Sequence, residues 1–222
     1  AQLGEAVAEV SHDLRNILTS AQLFTDRIEM SEDPLVRRLA PKLVNSITRA
    51  VSLCEGTLAF GRAEEPAPTF GRVCLHEIVD DVAEGENLVS SDVEVEIVNS
   101  VPLPTMIRCD KEQIFRVIMN LVRNARQAIT ATGQSGRITI SMREEDEAWW
   151  IRVADTGPGL PKKARDNLFT PFQGGARKGG SGLGLAIAAE LIKGHGGQLR
   201  LGATGAEGTV FEICLPKGDG TV

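Results

Sequence analysis

An apolar seam near the start constrains this 222-residue chain more than any other feature. Leu3, Val7, Val10, Leu14, Ile17, Ala21, Phe24 and Ile28 alternate gaps of four and three, the heptad spacing of helices packed side by side in a bundle. The seam predicts a helix over residues 3–30. His12 lies two residues past a seam position, about 200° around that helix at 100° per residue. It therefore faces water, with Asp13 beside it and Arg15 and Asn16 on the turn above. An imidazole exposed to water next to a carboxylate that can accept its proton has the makings of a nucleophile. A solvated surface histidine fits the same positions, so the rest of the chain has to decide.

The stretch Ser31-Glu-Asp-Pro34 is a short turn with a proline placed where a new helix can begin. A second helical pattern follows over residues 35–62, with Leu39, Leu43, Ile47, Val51 and Leu58 apolar. Two long helices and a tight turn make an antiparallel hairpin. One hairpin leaves its seam uncovered, whereas two copies complete a four-helix bundle, so a homodimer is expected. Two prolines, two charges and no periodicity mark a linker at Ala63-Glu-Glu-Pro-Ala-Pro-Thr-Phe70. The expected division is a hairpin over residues 1–63, a linker over 64–72 and a second domain over 73–222.

That second domain has a different texture. Helices are expected over 75–82, extending toward 88, over 111–131 behind a capping Asp110, and over 183–194. Strands are expected over 93–98, 105–109, 137–143, 149–155, 198–201 and 209–215. Helices and strands in this order predict an α/β sandwich with helices on one face of a mixed sheet. An apolar content of 42% supplies its core, and a net charge of −6 argues against a nucleic-acid binder, which presents a basic face. Cys54, Cys74, Cys109 and Cys214 lack metal-ligand or redox spacing and read as buried reduced thiols. No apolar run is long enough to span a bilayer and no signal peptide is visible, so a cytoplasmic chain is expected. Its opening within a helical pattern, without an initiator Met, suggests a fragment from which an upstream sensor or membrane region is missing.

Three groups of residues in the second domain could carry chemistry. Asn120 and Asn124 are four residues apart on a helix and share a face. Their amide oxygens suit a hard Mg²⁺ ion that bridges phosphates, and Arg123 and Gln127 beside them are placed to reach a phosphate. Asp155-Thr-Gly-Pro-Gly159 follows a strand; its carboxylate could accept a hydrogen bond from an exocyclic amine such as that of adenine, and the glycines allow close backbone approach. Gly179-Gly-Ser-Gly-Leu-Gly184 opens a helix, where free N–H groups favour phosphate. It is not a Walker loop, because no Gly-Lys-Ser/Thr follows.

Taken together and in order, these stretches resemble the catalytic core of a sensor histidine kinase of a two-component system. Ser11-His-Asp-Leu-Arg-Asn16 is similar to the family's H-box, Asn120-Leu-Val-Arg-Asn-Ala125 to its N-box and Asp155-Thr-Gly-Pro-Gly159 to its G1-box. Leu168-Phe-Thr-Pro-Phe172 is similar to the F-box and Gly180-Ser-Gly-Leu-Gly-Leu185 to the G2-box. The resemblance covers essentially the whole chain. It implies a helical hairpin forming a dimeric four-helix bundle, followed by an α/β sandwich of Bergerat (GHKL) type. It also implies ATP and Mg²⁺ as cofactors and the receiver domain of a response regulator as partner.

By that resemblance His12 accepts the γ-phosphoryl group, Asp13 takes the imidazole proton and Asn16 orients water for dephosphorylating the regulator. Asn124 ligates Mg²⁺ with support from Asn120, Asp155 holds the adenine amine, and Gly157 and Gly159 shape its pocket. Phe172, Gly180, Ser181, Gly182, Leu183 and Gly184 bound the lid and cradle the triphosphate. Two features depart from the family pattern. Gln127 stands where many members carry Lys, leaving Arg123 or Arg126 as the phosphate contact, and the lid stretch holding Arg177 and Lys178 is short. Gyrase-like, mismatch-repair and heat-shock ATPases share the nucleotide fold without a preceding hairpin bearing His-Asp-x-x-Asn. A phosphotransfer protein, or a phosphatase-biased relative sharing His12, Asp13 and Asn16, is the alternative.

Overall fold

The computed structural model describes residues 66–87, 93–170 and 183–218. The expected hairpin, with His12, Asp13, Asn16 and Cys54, lies outside the described residues, as do Phe172, Gly180, Ser181 and Gly182. Pro66–Gly174 and Gly184–Val222 belong to one compact unit.

Its elements, in order, are β1 (Gly71–Cys74), α1 (Leu75–Asn87), β2 (Val95–Ser100), β3 (Met106–Cys109), α2 (Lys111–Thr130), β4 (Gly136–Glu144), β5 (Ala148–Asp155), α3 (Lys162–Arg165), α4 (Gly184–Gly194), β6 (Gln198–Gly205) and β7 (Gly208–Pro216). β2, β4, β5, β7 and β6 form one sheet in that order, with β2 parallel to β4 and the other pairs antiparallel. A small antiparallel pair, β1 with β3, forms a second sheet.

The mixed sheet is amphipathic because strand side chains alternate between faces. Ile138 and Ile140 of β4, Ile151 and Val153 of β5, and Phe211, Ile213 and Leu215 of β7 are buried. The helices α1, α2 and α4 pack against strands of the sheet, and α2 touches both other helices. α2 forms where Asp110, in extended backbone, accepts a hydrogen bond from the Gln113 amide at 3.0 Å, satisfying one of the helix's unpaired first-turn donors. Ile114, Val117, Ile118, Leu121, Val122, Ala125, Ala128 and Ile129 then form its buried stripe. Truncating one of the larger ones to Ala costs about 2–5 kcal/mol, so the helix is held firmly in depth and rotation.

The observed elements differ from the expected ones in a few places. β1 begins at Gly71, within the stretch read as linker, and α3 was not anticipated. β2 runs two residues further along the chain than expected. β6 continues to Gly205 past an irregularity between Leu201 and Ala203, where the alternation that reveals a strand is interrupted. Of the cysteines, Cys109 is fully buried and its thiol is pushed up to about 12 by burial and the neighbouring Asp110 charge. Cys74 and Cys214 are only half-buried. Cys214 pairs with Trp150 on the face of β7 opposite the buried Ile213 and Leu215.

Candidate active site

The buried stripe of α2 leaves its polar face free for chemistry. Asn120, Asn124 and Gln127 fall within about 60° of one another around the helix, and Arg123 flanks them. Asn124 is the informative one. Its Nδ2 is buried and has no hydrogen-bond partner, a condition that costs about 1–3 kcal/mol. A carboxamide kept in that state is suited to a ligand that supplies the missing partner. Its oxygen also suits a hard cation held jointly with phosphate oxygens. Among the described residues no group of three or more His, Cys, Asp or Glu could hold a metal. A divalent ion at this face would therefore be held by amide oxygens and by the ligand it accompanies.

Gly184, the first residue of α4, lies directly against Asn120. A Cβ there would sit 3.3 Å from Asn120 Oδ1, so a side chain would push the amide aside. Leu183 is fully buried. α4 thus starts where α2 carries its first asparagine.

The third part of the site hangs from β5. Asp155 ends that strand, in register with Ile138 on one side and Thr209 on the other, and is 9% exposed. Its Oδ1 accepts the Gly157 amide at 2.8 Å and the Thr209 amide at 3.3 Å. These two backbone amides fix the carboxylate's orientation. A Cβ on Gly157 would meet Asp155 Oδ1 at 2.8 Å and the Ala128 methyl at 3.3 Å. The loop therefore passes between the carboxylate and α2 only as glycine. Gly159 is constrained still more tightly: its φ is +73°, and a Cβ would fall 2.1 Å from the Gly205 carbonyl oxygen. Leu160 N donates to Thr204 Oγ1 at 2.7 Å, stitching the loop to the end of β6.

Gly184 of α4 thus lies against Asn120 of α2, and the loop after β5 passes Ala128 of the same helix at Gly157. Asn120, Asn124, Asp155, Gly157, Gly159 and Gly184 are therefore carried on α2, on the start of α4, and on the end of β5 and the loop after it. The two candidate cations differ. Glu86 of α1, only 2% exposed, accepts from Arg123 Nε at 2.9 Å and from Arg126 Nε at 3.1 Å. Arg126 Nη2 also donates to the Glu86 carbonyl at 2.8 Å, and its side chain is 10% exposed against 61% for Arg123. Arg126 is thus a structural cation joining α1 to α2, and of the two Arg123 is the more accessible. Sequence reasoning missed Glu86, which neutralises both arginines, and Thr209, which orients Asp155. Both contacts arise between elements far apart in the chain, and no local pattern announces them.

Residues 109–219 match the family model described as histidine kinase-, DNA gyrase B-, and HSP90-like ATPase, and residues 2–66 match the His Kinase A (phospho-acceptor) domain. Sporulation kinase D of Bacillus subtilis is 28% identical over 223 residues, covering 96% of this chain and 42% of that protein. Sensor histidine kinase WalK of the same organism is 28% identical over 228 residues, covering 96% of this chain and 36% of WalK. The chain thus spans less than half the length of these two relatives. Among solved structures, full-length ShkA in complex with AMPPNP is similar with a TM-score of 0.74 and 27% identity, covering 98% of this chain and 47% of ShkA. Histidine kinase ThkA in complex with the response regulator protein TrrA is similar with a TM-score of 0.63 and 25% identity, covering 97% of this chain and 62% of ThkA. With a phospho-acceptor domain followed by an ATPase domain of this type, the chain belongs to the sensor histidine kinase family and carries its catalytic core.

Proposed function

We propose that the chain is an ATP-dependent protein histidine kinase that phosphorylates His12 and passes the group to an aspartate of a response-regulator receiver domain. The observation that carries this reading is the buried, unpartnered Nδ2 of Asn124, set on the helix face beside Asn120 and Gly184. Asp155, held by two backbone amides, accepts the exocyclic amine of adenine. Gly157 and Gly159 keep the space around it free of side chains. Arg123 contacts a phosphate, supported by Gln127, while Arg126 stays with Glu86. Gly180, Ser181, Gly182, Leu183, Gly184 and Phe172 line the triphosphate and lid side.

Asn124, with Asn120, holds Mg²⁺; when bound, the ion supplies charge neutralisation at the transferring phosphoryl group. A nitrogen of the His12 imidazole attacks the γ-phosphorus and the bond to the β–γ bridging oxygen breaks. ADP leaves, and Asp13 takes the imidazole proton. Asn16 orients water when the phosphorylated regulator is hydrolysed. Positioning and charge compensation supply most of the catalysis in such transfers, which suits a site built from amides, glycines and one buried carboxylate.

The protein acts as a homodimer through residues 1–63, with a linker over 64–72 and the ATP-binding domain over 73–222. No helix among the described residues is long and apolar enough to cross a membrane. The proposed place of action is the cytoplasm, where ATP and receiver domains are found. Incubation with γ-labelled ATP and Mg²⁺ tests the reading. Acid-labile, base-stable label should appear on the wild type and vanish in His12→Ala. Label that persists in that variant, or none on a wild type that binds nucleotide, overturns it.

A further inference from the structure

The path from His12 to the nucleotide site runs through residues 66–70, an exposed stretch with two prolines and no strand or helix. Such a segment is ordinarily a loose spacer, yet here it is tied down at both ends and in the middle. The Pro66 carbonyl accepts from Gln113 Nε2 at 2.9 Å, and the Thr69 amide donates to Asp110 Oδ2 at 2.8 Å. Pro68 lies beside Gly194. The Phe70 ring meets His195 edge-on, with centroids 5.4 Å apart at 80°, and Arg108 stacks over its face at 4.6 Å.

Asp110 and His195 hold the arrangement together. Asp110 spends one carboxylate oxygen on capping α2 and the other on Thr69. Its own amide donates to His195 Nε2 at 3.1 Å. Because Nε2 accepts there, the ring proton sits on Nδ1, which donates to the Leu191 carbonyl at 2.9 Å. His195 is 5% exposed, so both nitrogens are committed and the ring is fixed as one neutral tautomer. The first turn of α2 and the end of α4 are therefore joined to each other and to the segment. The same two helices meet again where the start of α4 lies against the middle of α2, Gly184 against Asn120.

We propose that Asp110 and His195 form a clasp fastening residues 66–70 to the two helices of the nucleotide site, making His195 a positioning residue for phosphoryl transfer. The transfer step rests on the proposed function; the clasp does not. His195 touches no reacting atom. Its role is to fix where the chain leaves the ATPase unit, and transfer between groups on either side of that point is sensitive to displacements of an ångström.

The test uses the whole chain. His195→Leu keeps bulk beneath Phe70 and removes the acceptor, His195→Gln restores an acceptor, and Thr69→Pro removes the donor from the segment's side without touching the core. Hydrogen exchange of the Thr69 and Asp110 amides reads the clasp directly. Exchange at Asp110 should quicken at least tenfold in His195→Leu and recover in His195→Gln, and exchange at Thr69 should quicken in His195→Leu as well. Autophosphorylation should lose roughly tenfold or more in kcat in His195→Leu and in Thr69→Pro, with KM for ATP within twofold and with rescue by His195→Gln. Unchanged exchange, unchanged kcat despite faster exchange, or a KM that rises in step with the kcat loss overturns the proposal. A wild type that takes no label but shows the exchange pattern refutes the kinase reading while supporting the clasp.

Discussion

Replacing Glu86 tests how the helix that bears Asn120 and Asn124 is anchored. The Glu86 side chain is 3% exposed and faces two guanidinium groups, one 10% and one 61% exposed. The exposed arm to Arg123 contributes about 0–1 kcal/mol, as surface pairs do. The buried arm is different: deleting the carboxylate strands Arg126 in the interior, where loss of one partner of a buried pair costs about 3–5 kcal/mol. Arg126 keeps its bond to the Glu86 carbonyl, which places Glu86→Leu near the lower end, about 3 kcal/mol. For a domain of this size that is a fall in Tm of roughly 6–12 °C. The assay is thermal or urea unfolding of Glu86→Leu, Arg126→Met and the pair. The double variant should recover most of the loss, because an apolar pair of similar volume leaves no buried charge. A Glu86→Leu loss below about 1 kcal/mol, or a double variant less stable than either single one, would show that Glu86 does not anchor α2 through Arg126.

Two further outcomes follow from the loop and the cap. Gly159→Ala combines a left-handed backbone with a Cβ 2.1 Å from a carbonyl oxygen; unfolding should show a loss of about 2 kcal/mol or more, with weaker nucleotide binding, and a neutral substitution would show the loop to be misassigned. Burial would raise the Asp110 carboxyl, but hydrogen bonds from the backbone of Gln113, Thr69 and Glu112 outweigh it and lower it from 3.8. The ionised form is thus favoured by the fold, so its contribution is present above pH 3.8 and lost as pH falls below that value. Urea titrations should show stability falling over that acid range in the wild type and a shallower fall in Asp110→Asn.

Features set by local periodicity were legible in the chain. The capping Asp110, the stripe of α2 and the shared face of Asn120 and Asn124 follow from helical spacing alone. Asp155 at a strand end, with glycines after it, was equally visible. β1 was not, because four residues beginning with Gly carry no alternation and their partner β3 lies more than thirty residues on. α3 is a single turn, too short for a period to show. The end of β6 was hidden by Gly202 and the irregular pairing beside it. Arg123 and Arg126 read as interchangeable phosphate contacts, since sequence spacing says nothing of Glu86 on another helix. The brace on Asp155 from Thr209 depends on the pairing of β5 with β7 and appears only once the sheet is assembled.

Titration calorimetry of ATP into the whole chain, with and without Mg²⁺, tests most directly whether the amide face of α2 is the nucleotide site. Wild type should bind more tightly when Mg²⁺ is present, and Asn124→Ala should lose that gain by about tenfold or more. Its Tm should stay level or rise, because the buried Nδ2 that is removed has no partner in the fold. Equal Mg²⁺-dependent tightening in wild type and Asn124→Ala would contradict the account.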